Sequence, residues 1–493
     1  MTTVGYLGLD IGGTGAKAGV YSVEGQLLGY GQVRYTPSVT AEGHVEIPIE
    51  VIHEAARDAT RQAVLSSRVP IEAMSIASQG QTFVVLDSDD RPLYPGILWY
   101  DSRAIHESDL LRKALDASNV TGGPLPLAEV IAVAPKFMWL CCHNPDLTEK
   151  TARISLLPDY FNRCLSGESV TDPCTASTTG LYVEGAPDYH ADALRLAGIN
   201  RQALAMVRDP GTKIGKILHA VADEWMLTPD TLLVTGTNDQ YAGALGAGNC
   251  QEGILTETTG TCLALVSLYR LKGSRLAESP GLLRGQYPIP GYGFVLAYTK
   301  TAGLILDWFQ NAFGRTTSID DLLALAARSP AGSHGINVLP HFDGAVSPIP
   351  NGSVRGAIWN LRLDHTQGDI FRAVLESIAY SLRENMEAMR AHGQTFNLVR
   401  SIGGGARSDF WVQMKADVIG MAIEKPQVTE SATLGAAMLA AVGAGEYANV
   451  AECSSSWYKV GRVFTPRPDQ HALYEPAYFQ YRALYQHAYG MSV

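Results

Sequence analysis

The chain opens on a short apolar run, Tyr6-Leu7-Gly8-Leu9-Asp10-Ile11, breaks at Gly12-Gly13-Thr14-Gly15, and resumes an extended pattern over Lys17-Ala18-Gly19-Val20-Tyr21. Two such runs around a tight polar turn predict a β-hairpin. Apolar residues then recur at helical spacing over 50–67, 104–117 and 216–226, whereas Ala73–Ala77, Phe83–Leu86, Ile97–Trp99 and Leu232–Val234 have the length and continuity of strands. The first half thus alternates strand and helix, which predicts an α/β architecture.

Beyond Gly236-Thr237-Asn238-Asp239-Gln240 lies a small-residue run, Ala242 to Asn249, suited to a closely packed helix that ends at glycine. We place a domain boundary just after it, giving domains 1–248 and 249–493. The second half restarts as the first did: Ile254-Leu255-Thr256-Glu257-Thr258-Thr259-Gly260-Thr261 is a strand entering a polar turn, and Cys262–Ser267 is its hairpin partner. Later come a long amphipathic helix over Phe371–Met389, a strand running into Gly403-Gly404-Gly405-Ala406, and a small-residue helix over Thr433–Val442. With no low-complexity linker between them, the halves are expected to pack across a cleft.

Composition narrows the class. A length of 493 residues with 46% hydrophobic and 18% charged residues gives ample material for two cores and none of the signature of disorder. Thirty-eight Lys plus Arg against 49 Asp plus Glu leave a formal charge of −11, which argues against nucleic acid or an anionic membrane as partner. Such a protein must hold phosphates with backbone N–H groups, helix N-termini and a divalent metal more than with lysines. Seven cysteines without C-x-x-C spacing read as reduced thiols. The first apolar run lacks a basic leader, and no stretch reaches the length of a membrane span, so the expected location is cytoplasmic.

Four motifs can carry chemistry. Asp10 precedes Gly12, Gly13 and Thr14, a turn whose backbone N–H groups can approach a phosphate, and Asp10 can hold Mg²⁺ through water; an ordinary hairpin turn is the alternative. Asp239, beyond an apolar strand and before a helix, can take the proton of an attacking hydroxyl or simply cap the helix. Thr259, Gly260 and Thr261 can donate side-chain and backbone hydrogen bonds to a second phosphate, or form a plain turn. In Gly403-Gly404-Gly405-Ala406-Arg407-Ser408 the glycines offer a side-chain-free surface for a purine with Ser408 or Arg407 at its edge, or a strand-to-helix turn. Two further loops, Gln79-Gly80-Gln81-Thr82 and Trp99-Tyr100-Asp101-Ser102-Arg103, combine amides, charges and aromatic rings suited to a polyhydroxylated ligand. An Asp101/Arg103 surface ion pair beside a core Trp99 is the competing reading.

In this order the motifs resemble the FGGY carbohydrate kinases of the sugar kinase, chaperone and actin superfamily. Pro135-Lys136 with Trp139, Gly167-Glu168 with Thr171-Asp172, Arg372 to Glu376, Gly403 to Ser408 and Leu434 to Ala437 extend the resemblance along nearly the whole chain. It implies two ribonuclease-H-like domains enclosing a cleft, with sugar largely on the first and ATP largely on the second. It also implies Asp239 as catalytic base, Asp10 on the metal side, and ATP contacts from Gly12, Gly13, Thr14, Lys17, Thr259, Gly260, Thr261, Gly404, Gly405, Ala406 and Ser408. Sugar contacts are implied for Gln79, Gln81, Thr82, Trp99, Asp101, Arg103, Asn238, Asp239 and Gln240.

The xylulokinase branch looks nearest, so a ketopentose such as xylulose is the expected acceptor. Ribulose, gluconate, tetritols and glycerol are alternatives. Xylulokinases carry Met-His-Gly where this chain has Gly80-Gln81-Thr82, and Ile131 replaces a glycerol-kinase tyrosine. Asn360 stands where a glycine is usual. A homodimer is an open alternative to a monomer. The rival functions are a non-catalytic binding protein and an ATPase of the chaperone or filament kind.

Overall fold

The computed structural model describes residues 4–118, 129–182, 186, 188–272, 279 and 281–490. It packs as two compact units, one from the described parts of Met1–Cys250 with Arg284–Tyr292 and Glu430–Tyr458, the other from the described parts of Gln251–Leu283 with Gly293–Thr429 and Lys459–Val493.

In the first unit a six-stranded sheet runs in the order Lys213–Lys216, Leu232–Asn238, Ile71–Ser78, Gly5–Gly12, Gly15–Tyr21, Leu27–Arg34. Gly5–Gly12, Ile71–Ser78 and Leu232–Asn238 are parallel, and the pairs at either side are antiparallel. The helix Ile49–Ser67 makes the crossover, burying Ile52, Ala56, Ala59 and Ala63 against the sheet. A five-stranded sheet, with Phe83–Leu86 and Gly96–Ile97 among its strands, packs Phe83, Val85 and Ile97 with Val133, Phe137 and Leu140 of the helix Val133–His143 in a further core.

The second unit repeats the scheme. Its sheet includes, in order, Tyr292–Thr299, Leu263–Arg270, Gly253–Thr259, Phe396–Ile402, Ile423–Pro426 and Val460–Phe464. Gly253–Thr259 is antiparallel to Leu263–Arg270 and parallel to Phe396–Ile402. The long helix Gln367–Ala391 lies in its core, started by a capping box between Thr366 and Asp369. Each unit therefore has the hairpin-then-parallel-strand order of a ribonuclease-H-like fold.

Some expectations differ from the structure, and the strand expected over Ile97–Trp99 is Gly96–Ile97. The helical spacing over 216–226 yields only the single turn His219–Ala222, because Lys213–Lys216 pairs as an edge strand and Met226 turns at φ 56° to bury Trp225 and Leu227. A division after residue 248 also misses the return of Glu430–Tyr458 to the first unit. The helix Ser431–Ala444 comes so close that a Cβ on Gly8 would lie 1.8 Å from Thr433 O, and one on Gly435 would lie 1.9 Å from Ala242 O. The departure at Asn360 has a local cause. Its φ is 64°, the left-handed region that asparagine tolerates best after glycine, and its Nδ2 donates to Gly335 O at 3.0 Å.

Candidate active site

In the first unit three parallel strands end together. Asp10 and Thr237 both stand opposite Ala77, and Ile11 and Asn238 both stand opposite Ser78. Asp10 and Asp239 thus lie at strand ends on either side of Ile71–Ser78, where α/β folds deliver active groups. Asn238 caps the helix Asp239–Gly246, its side chain accepting from Gln240 N at 3.0 Å. Asp239 is the first helical residue instead, so capping does not occupy it.

Both aspartates keep some accessible surface, but their carboxyl groups sit deep in protein. Burial, reinforced by nearby Asp239 and partly offset by Lys17, pushes Asp10 up to about 7. Burial likewise pushes Asp239 up to about 6, against hydrogen bonds from Gln240. Asp10 Oδ1, the Gln240 Oε1 and both amide atoms of Gln79 are buried without a partner among the described residues. Buried polar atoms normally find partners, so this cluster is shaped for a polar ligand. No group of three or more His, Cys, Asp or Glu side chains gathers as a metal cage among the described residues. A pair of carboxylates with one oxygen unclaimed nevertheless fits Mg²⁺, which takes one or two carboxylates and fills its remaining positions with water and phosphate oxygens.

The first turn is short: Gly12 pairs with Gly15, leaving Gly13 and an exposed Thr14 at its tip. Tyr35 hydroxyl donates to Gly12 O. Lys17 is engaged at 2.8 Å by Glu430. The two loops expected to meet the sugar are joined, since Thr82 Oγ1 accepts from Trp99 N at 3.0 Å and Lys136 Nζ donates to the carbonyls of Leu98 and Trp99 at 2.8 Å each. Burial drags Lys136 from 10.5 down to about 7.

Asp101 and Arg103 are not offered to a ligand. Both side chains are fully buried, Arg103 Nε lies 2.8 Å from Asp101 Oδ1, and Arg103 also reaches Glu46 at 2.8 Å. Burial raises the Asp101 carboxyl, yet the Arg103 fork and the amides of Val45 and Arg103 hold it below its ordinary value. The pair is structural but interior, unlike the surface pair weighed from sequence. Lys136 belongs to the Pro135-Lys136 stretch that carries the family resemblance, but the sequence assigns it no role; a lysine inside the largely apolar helix Val133–His143 is the signal that points to one.

In the second unit the two expected nucleotide turns touch. A Cβ on Gly403 would lie 2.8 Å from Thr259 O, and one on Gly405 would lie 2.6 Å from Thr259 Cβ. Gly405 and Ala406 are therefore buried packing residues, and only Gly404 of the three presents an open face. Thr259 hydroxyl donates to Glu257 and accepts from Lys415 at 2.7 Å, so its side chain has no proton left for a phosphate. Gly260 has open space where a Cβ would stand, and Thr261 is exposed. The helix Gly303–Phe313 starts on this turn, with Gly303 N donating to Gly260 O at 2.9 Å. Ser408 caps the helix Asp409–Ile419 through Trp411 N at 3.3 Å.

Comparison with known proteins bears on the family and the fold. The sequence model for the N-terminal domain of the FGGY family of carbohydrate kinases matches residues 5–246, and that for the C-terminal domain matches residues 259–444. Xylulose kinase of Staphylococcus epidermidis is 28% identical over 436 residues, covering 88% of this chain and 86% of that protein. Autoinducer-2 kinase of Klebsiella pneumoniae is 28% identical over 510 residues, covering 98% and 94%. The ligand-bound xylulose kinase of Lactobacillus acidophilus superposes with a TM-score of 0.89 over 100% of this chain and 99% of that one, at 22% identity, which speaks to the fold. With both domain models matched, the chain belongs to the FGGY family of carbohydrate kinases and is an ATP-dependent sugar phosphotransferase.

Proposed function

We propose that this kinase transfers the γ-phosphoryl group of Mg·ATP to a hydroxyl of a ketopentose such as xylulose, with Asp239 as general base. The observation that carries the reading is the pair Asp10 and Asp239 at neighbouring parallel strand ends, beside buried polar atoms that await a ligand. Asp239, raised to about 6, is ionised at neutral pH and is a better proton acceptor than an ordinary aspartate. Asp10 holds the metal side, and a bound Mg²⁺ neutralises charge on the phosphate oxygens. The Gly12–Gly15 turn and the turn around Gly260 present backbone N–H groups to phosphates, and Gly404 presents its open face to the adenosine.

Relatives named xylulose kinase support a ketopentose. Gln81, with φ 56°, occupies the place where xylulokinases carry histidine, and relatives named autoinducer-2 kinase match at the same 28% identity, which favours a different small polyol or sugar as the second reading. A coupled ADP-release assay with Mg·ATP over pentuloses, hexuloses, aldonates, tetritols and glycerol, with a sugar-free blank, separates them. A xylulose response several-fold above all others is expected. A larger response to another acceptor replaces xylulose, and a flat panel removes the reading.

A further inference from the structure

Gln79 is the first residue after the central strand Ile71–Ser78, and its backbone extends the ladder by donating to Ile11 O at 2.9 Å. Continuing the register past Ser78 puts it level with Gly12 on one side and Asp239 on the other. Its residue surface is 4% exposed, and neither its amide oxygen nor its amide nitrogen has a partner. The side chain lies against the glycine turn, because a Cβ on Gly13 would stand 3.3 Å from Gln79 Oε1. Thr82 behaves otherwise, its hydroxyl being tied to the backbone of Trp99.

Each buried, unpaired polar group costs folding free energy, so a glutamine left with both ends open in a folded core is matched to something that arrives later. The sequence assigns Gln79 to the sugar. Its position favours the other reactant, since it sits between the turn that receives phosphate and the base that receives the hydroxyl proton. We propose that the Gln79 amide N–H donates to an oxygen of the phosphoryl group in transfer, which makes it a catalytic residue rather than a sugar-selecting one. In the step, the bond from the γ-phosphorus to the bridging oxygen of ADP breaks, the bond to the sugar oxygen forms, and the hydroxyl proton passes to Asp239. Gln79 exchanges no atom and stabilises the moving group by a neutral hydrogen bond held ready in advance. Since it touches phosphoryl oxygens and not sugar carbons or hydroxyls, its contribution is the same whichever acceptor is bound. This inference rests on the kinase site proposed above.

The test compares wild type with Gln79→Ala, Gln79→Glu and, as a control on the adjoining loop, Gln81→Ala. Loss of one preorganised donor is expected to lower kcat about 10²–10³-fold. The acceptor KM stays within about threefold, as for an interaction made mainly in the transition state. The factor is equal for the two best acceptors, and Gln79→Glu, nearly isosteric but negative, is worse than Gln79→Ala. Gln81→Ala shifts KM and acceptor preference instead. Slow ATP hydrolysis without sugar is a second readout, because transfer to water uses the same contact. It falls in Gln79→Ala even if no sugar on the panel is the true acceptor, so a failed substrate assignment and a failed Gln79 assignment give different results. A rise in KM with kcat intact, a factor that differs between acceptors, or unchanged background hydrolysis in a folded, nucleotide-binding variant overturns the inference.

Discussion

Removing the Lys415 ammonium should loosen the turn around Gly260 by a calculable amount. Lys415 Nζ lies 2.8 Å from Glu257 Oε1 and 2.7 Å from Thr259 Oγ1, and both charged side chains are fully buried. Ser401 and Thr259 hydroxyls also donate to Glu257, so Lys415→Met leaves a buried carboxylate with two neutral donors and no countercharge. Breaking a buried pair from one side costs about 3–5 kcal/mol, whereas neutralising both sides is far milder. Glu257→Gln with Lys415→Met should therefore recover about 1–3 kcal/mol relative to the sum of the single changes. In a chain of two units, a global unfolding curve blurs this effect, so the suitable measurement is amide hydrogen exchange in the strand Gly253–Thr259. A loss of 3–5 kcal/mol corresponds to roughly 10²–10³-fold or more faster exchange there, at about 1.4 kcal/mol per decade. Unchanged protection in Lys415→Met, or a double variant no better than additive, would refute the claim that this pair braces the turn.

Other outcomes are expected on the same grounds. Asp239→Ala should lose about 10²–10⁴ in kcat while still binding nucleotide by calorimetry, and near-normal turnover would remove it as base. In wild type, kcat/KM should decline as pH falls through about 6, where free Asp239 takes up its proton, and Asp239→Ala should lack that limb. Asp10 binds its proton up to about 7 when folded but only up to 3.8 as an ordinary aspartate, so its contribution to metal-free stability falls as pH rises from about 4 to about 7. Asp10→Asn should flatten that part of the Tm-against-pH curve in EDTA. Lys136→Met leaves two carbonyls without their donor and should raise the acceptor KM with little change in ATP affinity, measured by steady-state kinetics and nucleotide titration.

Much of the candidate site is legible because the residues proposed for it stand at strand ends, where an apolar run meets glycine, threonine and aspartate. Asp10-Ile11-Gly12-Gly13 and Thr237-Asn238-Asp239 are local patterns, and the parallel register brings them beside one strand. What stayed hidden depends on partners remote in sequence. Nothing near Thr259 shows that Lys415, 156 residues on, claims its hydroxyl, and nothing near Arg103 shows that Glu46 completes its burial. Gly405 reads locally as an opening for a ligand but is a packing glycine, since the atom it must avoid is Thr259 Cβ. The 216–226 segment misled for a related reason: apolar spacing records which side chains are buried, and a strand followed by one helical turn can bury Ile217, Ala222, Trp225 and Leu227 as well as a helix does.

The return of Ser431–Ala444 to the first sheet sets a schedule for biosynthesis. At about 5–20 residues per second, the stretch from Cys250 to Glu430 takes on the order of ten seconds or more to emerge, and throughout that time Gly8, Ala77 and Ala242 lack the helix that covers them. The unit that begins first on the ribosome is thus finished late, and a fragment cut at Cys250 keeps its strand-end aspartates but not the helix against which their sheet is packed.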